Sequence, residues 1–331
     1  MPKYRKDTKK EKTNGSNYNK RDKGNVSQSS FKKDSNNNYN NEATGYLLPR
    51  DTRSVSLIHE DQFYPDNFAL MVNKFYTTTK KDDKYKFENR LIQNEPYDFY
   101  SKPQGKNIIN KIKANTEAIC RSFEKQGYKI KSFDKKTISP MVIGLGNEDI
   151  FETSLTLHHI YGIPYIPASA IKGVVRNWTV NSVFNAQEGD KKTGALGDPA
   201  FCKIFGSPKN SISGERKGRV IFLDAFPSDN NIKVKLDIIA THYHQYYTSG
   251  GNIKPPADYL QPNITNFLAV DRDATFFFNI MVKEVNNEEI KLGQSENYRK
   301  SILEVAEKLL VEALTIEGIG AKTSVGYGLF A

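Results

Sequence analysis

The sequence predicts an α+β fold from residue 137 onward, in which an antiparallel sheet packs against two helices in the ferredoxin-like order. The first observation is a series of short apolar runs, typical of strands, at residues 138–145, 151–160, 219–226, 232–241, 274–282 and 325–330. The second is a pair of segments with apolar residues at helical spacing, which begin near Ser169 and Ile302. The third is their order: strand, helix, strand, strand, helix, strand, with extra strands in the loops.

Glycine and proline residues bound the predicted strands. Gly144 and Gly146 end the first run, and Pro140 indicates that it is an edge strand or begins irregularly. In the run 151–160, apolar and polar residues alternate as in a half-buried strand. The stretches 185–218 and 242–272 are rich in polar residues, glycine or proline, and we interpret them as insertions.

The first 136 residues have a different composition. Residues 1–45 contain eleven Lys or Arg and five Asp or Glu, which accounts for +6 of the formal net charge of +10. They contain too few apolar residues for a core, so we expect a disordered basic tail. Residues 46–136 are expected to form an extension of loops and helices, with a helix at 104–127 and short helices near 66–75 and 89–93. Because the folded part is only mildly basic, a nucleic-acid site there must be local.

Several classes of protein are disfavoured by composition. The two cysteines, Cys120 and Cys202, lie far apart and have no metal-ligand spacing, so we expect neither a disulfide framework nor a metal cofactor. No apolar run approaches the roughly 20 residues of a membrane span. We therefore expect a cytoplasmic protein without cofactors or membrane contact.

The segment that begins at Ser169 has the composition of a phosphate site. Ser169 is the expected N-cap, and Lys172 and Arg176 follow at i, i+4 spacing near the positive end of the helix dipole. Gly173 costs about 1 kcal/mol in a helix relative to alanine, and a close approach by RNA backbone or by another element would explain it. The alternative is that the two cations lie on a solvated face.

The last fourteen residues form a second candidate. Gly318 ends the last predicted helix, and Gly318, Gly320, Gly326 and Gly328 bracket the cation of Lys322. A glycine-rich turn that holds a lysine can present N–H groups and a charge to a phosphate.

These two segments together resemble the RAMP proteins of type III-B CRISPR systems. The terminal run is similar to their loop of Gly-x-Gly, five residues including a cation, and Gly-x-Gly, which Gly318–Gly328 matches in full. Residues 162–176 resemble a second stretch of the family, from which Ala168 and Ala170 depart, since the family often has glycine and serine there. The resemblance covers about 137–331.

The resemblance implies an RNA-binding subunit of a ribonucleoprotein. Its ferredoxin-like domain, like an RNA-recognition motif, would offer a surface to RNA. Partners would be guide CRISPR RNA, bound through its backbone near the 3′ end, complementary target RNA, and the other subunits of a Cmr complex. Base pairing would read sequence, so the protein need only read backbone and shape.

The competing interpretation is a metal-independent endoribonuclease. His242 and His244 would lie on one face of a strand, and His242 is a candidate general base. Asp149 lies in the loop where related subunits carry a cutting aspartate, although the motif does not match. Packing with neighbouring tyrosines is the alternative for the histidines. His158 is a candidate RNA contact. Asp224, within an apolar run, is expected to make a structural hydrogen bond.

Overall fold

The computed structural model describes residues 45–46, 67–74, 77–81, 84–88, 96–98, 100–146, 154–248 and 261–331. The predicted tail lies outside the described residues except for Gly45, and so do the predicted helix at 89–93 and Asp149. The α-helices of the described part are α1 (Phe68–Lys74), α2 (Pro103–Lys125), α3 (Ala168–Val183), α4 (Pro199–Phe205), α5 (His244–Thr248) and α6 (Ile302–Glu312). A π-helical turn, Ala313–Glu317, extends α6.

Thirteen strands occur in the same residues. They are β1 (Gly45–Tyr46), β2 (Thr77–Lys81), β3 (Lys84–Glu88), β4 (Tyr128–Lys136), β5 (Gly206–Ser207), β6 (Arg216–Lys217), β7 (Ile221–Phe222), β8 (Phe226–Pro227), β9 (Val234–Thr241), β10 (Asn263–Val270), β11 (Thr275–Lys283), β12 (Glu289–Lys291) and β13 (Arg299–Ser301). The prediction of mixed helices and antiparallel sheet is therefore confirmed.

The central sheet is built around β11. This strand pairs antiparallel with β4 along its whole length, and its other edge pairs with the short strands β7 and β8. Successive side chains of a strand point to opposite faces. Phe276, Phe278, Ile280 and Val282 are fully buried within the main core, which also holds the apolar residues of α3 and α6. We call this the inner face of the sheet.

Helix α2 covers the opposite, outer face. Its less exposed residues recur at helical spacing and include Ile109, Ile112 and Thr116. Cys120 of α2 reaches Asn279 of β11, with Sγ 3.7 Å from Oδ1. The N-terminal extension thus supplies both β4 and the helix on the outer face, and both precede residue 137, where the sequence places the start of the domain.

Several predicted strands differ from the structure. The run 138–145 is not a strand: Thr137 bridges Phe330 and Met141 bridges Val270, and no ladder continues between them. Residues 325–330 are also irregular beyond the single bridge at Phe330. The reason is the glycine-rich loop, whose backbone bonds to this segment replace a regular ladder.

Other segments contain either less or more regular structure than the sequence predicts. Residues 154–160 of the run 151–160 show only one bridge, between Leu157 and Pro164. Within the stretch 242–272, by contrast, β10 pairs with β9 over eight residue pairs as a separate hairpin. The stretch 46–103, expected as loops with short helices near 66–75 and 89–93, contains α1 at the first of these positions and also the β2–β3 hairpin. In 185–218, the side chain of Asp198 caps α4.

Candidate nucleic-acid interface

The N-terminus of α3 is capped by a residue that is distant in sequence. The helix begins at Ala168, and its N-cap position is Pro167, so the prediction that Ser169 is the N-cap is wrong. Asp224, in the connection between β7 and β8, accepts a hydrogen bond from the backbone N–H of Ala168 at 2.7 Å. A carboxylate therefore already lies at the positive end of this helix dipole, where it would repel a phosphate.

A group of cations lies one to two turns into α3. Burial, followed by the positive charges of Arg176 and Lys217, lowers the pKa of Lys172. We call Lys172, Arg176 and Lys217 the basic cluster. Arg176 donates to Glu188 Oε1 at 2.5 Å and stacks over the Phe201 ring at 5.3 Å. The ion pair compensates part of the charge of Arg176, so Lys172 and Lys217 are the main cations that an anion would compensate.

Gly173 lies on the same part of α3. Gly173 is exposed. Apart from the backbone of the helix itself, no atom lies within 4 Å of a Cβ built on Gly173. Packing within the described part of the chain therefore does not require glycine here. The prediction from the sequence, that RNA backbone or another element approaches closely here, stays a prediction.

The glycine-rich loop is held by close backbone packing. Gly318, Gly320, Gly326 and Gly328 all have positive φ. A Cβ on Gly320 would lie 2.2 Å from the carbonyl oxygen of Val142, and one on Gly328 would lie 2.0 Å from that of Ile319. Ala321 N–H donates to the same Val142 oxygen at 2.8 Å. These glycines let the loop fold onto itself and onto residues 140–143.

Lys322 is turned toward aromatic rings. Its backbone is left-handed, with φ 63°, and its Nζ lies 4.6 Å from the ring centroid of Phe267 and 5.1 Å from that of Tyr327. The Tyr327 hydroxyl donates to Asp237 Oδ2 at 2.7 Å. Burial and this hydrogen bond raise the pKa of Tyr327 to about 12. Lys322 thus joins the loop to the β9–β10 hairpin.

His158 lies in an aromatic group near the start of α3. Its ring stacks on Tyr161 at 4.7 Å and meets Tyr165 and Phe226 edge-on. Its Nδ1 accepts from the backbone N–H groups of residues 160 and 161, both at 3.3 Å, which leaves the proton of the neutral ring on Nε2. Burial, then the neighbouring His159, lowers the pKa of His158, so the ring is neutral at pH 7.

The structure divides the predicted residues into separate groups. Lys172, Gly173 and Arg176 lie together on α3, whereas the contacts of Lys322 are with the β9–β10 hairpin. His158 lies near Asp224, whose carboxylate binds the first residue of α3. His242 is exposed in the turn after β9, with its ring 6.2 Å from that of Tyr243.

One residue of the basic cluster, Lys217, was missed from the sequence. Lys217 lies in the run Arg216–Arg219, whose three cations in four residues are the available signal. The expectation that Asp224 makes a structural hydrogen bond is confirmed, and its partner, the backbone N–H of Ala168, is 56 residues away in the chain. Among the described residues, no three His, Cys, Asp or Glu side chains are grouped as metal ligands. None of the helices described is both long and apolar enough to span a bilayer.

Comparison with known proteins defines the class. A model of the RAMP superfamily matches residues 136–331. The chain belongs to the RAMP superfamily. Within it, the chain is similar to the Cmr6 subunit of the CRISPR Cmr system from Pyrococcus furiosus, at 34% identity over 236 residues, and spans 65% of that relative and 58% of itself. It is 24% identical to Cmr6 of Saccharolobus solfataricus over 288 residues, or 79% of this chain and 86% of that protein.

Two solved structures are also similar to the chain. One is a chain of the type III-B Cmr-β complex bound to cognate target RNA, with a TM-score of 0.47 and 25% identity over 66% of this chain and 64% of that one. The other is Cmr6 from Pyrococcus furiosus, with a TM-score of 0.38 and 28% identity over 62% of this chain and 98% of that one.

Proposed function

We propose that the protein is an RNA-binding subunit of a type III-B CRISPR (Cmr) ribonucleoprotein. In this proposal it holds the backbone of the guide CRISPR RNA near its 3′ end and helps to position target RNA, in contact with other Cmr subunits. Its role is binding and not catalysis. The observation that carries the proposal is the basic cluster beside the exposed Gly173.

The charge pattern of the cluster supports an anionic ligand. Lys172 is partly buried next to two like charges, so its charged form is disfavoured in the free protein. A phosphate would bring the opposite charge and relieve this repulsion. Because the neighbouring Gly173 has no side chain, an RNA backbone can approach the helix closely.

The fold supports the same proposal. We infer that the central sheet is a reduced ferredoxin-like sheet in which β4, β7 with β8, and β11 are the first three strands. The bridge between Thr137 and Phe330 stands where the fourth strand would pair. The two helices of that order are α3 and α6, and α3 carries the basic cluster.

Neutralising Lys172 and Lys217 is expected to weaken RNA binding. In the double variant Lys172→Gln, Lys217→Gln, the affinity for labelled CRISPR RNA should fall about tenfold at moderate salt. Loss of two phosphate contacts should also make the plot of log K against log salt less steep, by about 1.4 in the magnitude of its negative slope. Fluorescence anisotropy between about 50 and 200 mM salt measures both.

The matched control is Lys125→Gln, Lys209→Gln, which removes the same charge from exposed positions outside the cluster. It should change the affinity much less. Equal losses in both double variants would mean that net charge, and not the cluster, binds RNA. Cleavage of the RNA by the purified protein, lost in His242→Ala or Asp149→Ala, would overturn the non-catalytic part of the proposal.

Gly173→Ala separates stability from binding. Alanine should stabilise the free protein by about 1 kcal/mol, because the site is an exposed helix interior with room for a methyl group. The same variant should bind CRISPR RNA more weakly if RNA backbone lies against this residue. Urea unfolding and anisotropy measure the two effects. A stabilised variant with unchanged affinity would show that RNA does not approach Gly173.

A further inference from the structure

A cavity of about 230 Å³ lies between α2 and the outer face of the central sheet. Thr116 and Cys120 line it from α2, and the sheet contributes Ser132, Asp134, Phe277 and Asn279. The volume is below the range of about 300 to 1,000 Å³ that is usual for pockets of drug-sized ligands. A small, flat ligand therefore fits better than an extended one.

One polar side chain in the wall of the cavity is buried and only partly bonded. Asn279 is 4% exposed, and its Oδ1 accepts from the Ser132 hydroxyl at 2.6 Å. Its Nδ2 is buried without a hydrogen-bond partner. If the amide were turned end for end, Nδ2 would donate to Ser132 and Oδ1 would lack a strong donor instead. In either orientation one polar group of the amide is left buried and unpaired, which is unfavourable, and the side chain lines the cavity.

Two of the other lining groups, Phe277 and Asp134, match the chemistry of a nucleobase. Phe277 is half-buried, and its ring centroid lies 6.4 Å from that of Phe226, so the Phe277 ring is supported from one side. Aromatic rings of this kind stack with unpaired bases. Asp134 is exposed, and an ionised carboxylate can accept hydrogen bonds. Since Asp134 pairs with Phe277 and Ser132 with Asn279, Asp134 and Asn279 are diagonal neighbours, about 7 to 8 Å apart.

We propose that this cavity binds one unpaired nucleobase, guanine in preference to uracil. The N1–H and N2–H groups of guanine donate to the Asp134 carboxylate, and its O6 accepts from Asn279. Uracil has no exocyclic amine for the carboxylate. The inference rests on the proposed RNA-binding function, because the base would belong to single-stranded RNA that also contacts the protein elsewhere.

The two cysteines provide a direct test. Cys120 lines the cavity and is partly exposed, whereas Cys202 is fully buried, so alkylation of the native protein reports on Cys120. Burial and the nearby Glu124 raise the pKa of Cys120, so labelling is slow and is done with long exposure at about pH 8, where guanine keeps its N1–H. We expect GMP and the RNA pentamer UUGUU to slow alkylation by iodoacetamide, and UMP and UUUUU to slow it much less.

Two variants make the test specific. Asp134→Asn should reduce the preference for guanine about tenfold, since a bidentate contact to a base contributes about 1 to 3 kcal/mol. The charge-matched control Glu215→Gln should retain the preference. Cys120→Met fills the cavity and should abolish binding of GMP in calorimetry while the protein still unfolds cooperatively at a similar temperature.

The outcomes distinguish this inference from the proposed function. CRISPR RNA that binds with full affinity while Cys120 stays unprotected would overturn the base cavity and leave the proposed function intact. Equal protection by GMP and UMP would overturn the role of Asp134. Protection by GMP without protection by UUGUU would identify a site for free nucleotides and overturn its assignment to RNA.

Discussion

Replacing Gly320 or Gly328 with alanine is expected to destabilise the protein by about 2 to 5 kcal/mol. About 1 to 2 kcal/mol of this comes from the left-handed backbone, which disfavours a Cβ. A further 1 to 3 kcal/mol comes from the overlap of that Cβ with a backbone carbonyl, 2.2 Å away for Gly320 and 2.0 Å for Gly328. Backbone atoms cannot move aside as a flexible side chain can. The free energy of unfolding in urea measures the loss.

Gly326→Ala is the matched control for both variants. Gly326 has φ of 92° in the same loop, but no atom lies within 4 Å of a Cβ built on it. Only the conformational part of the penalty applies, so we expect a loss of about 1 to 2 kcal/mol. If Gly320→Ala lost no more than Gly326→Ala, the packing of the loop on Val142 would not be as tight as described.

Phe330→Ala is expected to cost about 3 to 5 kcal/mol in the free energy of unfolding. The Phe330 side chain is fully buried and contacts Phe278 at 5.7 Å and Phe276 at 6.2 Å, both edge-on. Truncation to alanine leaves a cavity against the inner face of the sheet. The loop that precedes Phe330 should loosen as well, because its last backbone contacts depend on this anchor.

Val325→Ala is the control for Phe330→Ala. It also removes an apolar side chain from the terminal segment, but Val325 is 67% exposed. Its stability should stay within about 0.5 kcal/mol of the parent protein. Thermal and urea unfolding of the two variants test the difference, and comparable losses would show that the segment as a whole, and not the buried ring, stabilises the core.

The elements that the sequence predicted correctly are those with a local cause. Helix α6 follows from its apolar repeat, its capping box at Ser301 and Glu304, and the glycine that ends it. Strand β11 follows from its run of apolar residues, because a strand buried on both faces has few polar positions. The grouping of Lys172 with Arg176 follows from their spacing on a helix.

The elements that were missed depend on distant partners. Strand β4 alternates lysine with apolar residues and resembles a solvated segment until β11 pairs with it. The cap of α3 comes from Asp224, far along the chain, so the local Ser169 was the natural but wrong choice. The sequence around Lys322 predicts a cation among glycines. Only the fold brings the rings of Phe267 and Tyr327 beneath its ammonium group.

The pairing of β4 with β11 has a consequence for how the protein folds. Ser132 and Asn279, which bond across these strands, are 147 residues apart in the chain. At roughly 5 to 20 residues per second of synthesis, β4 waits on the order of 10 s for its partner. Contacts between such distant segments also slow folding after release. During that interval the apolar residues that later face α2 are exposed, so we expect expression yield to depend on growth temperature and on chaperones.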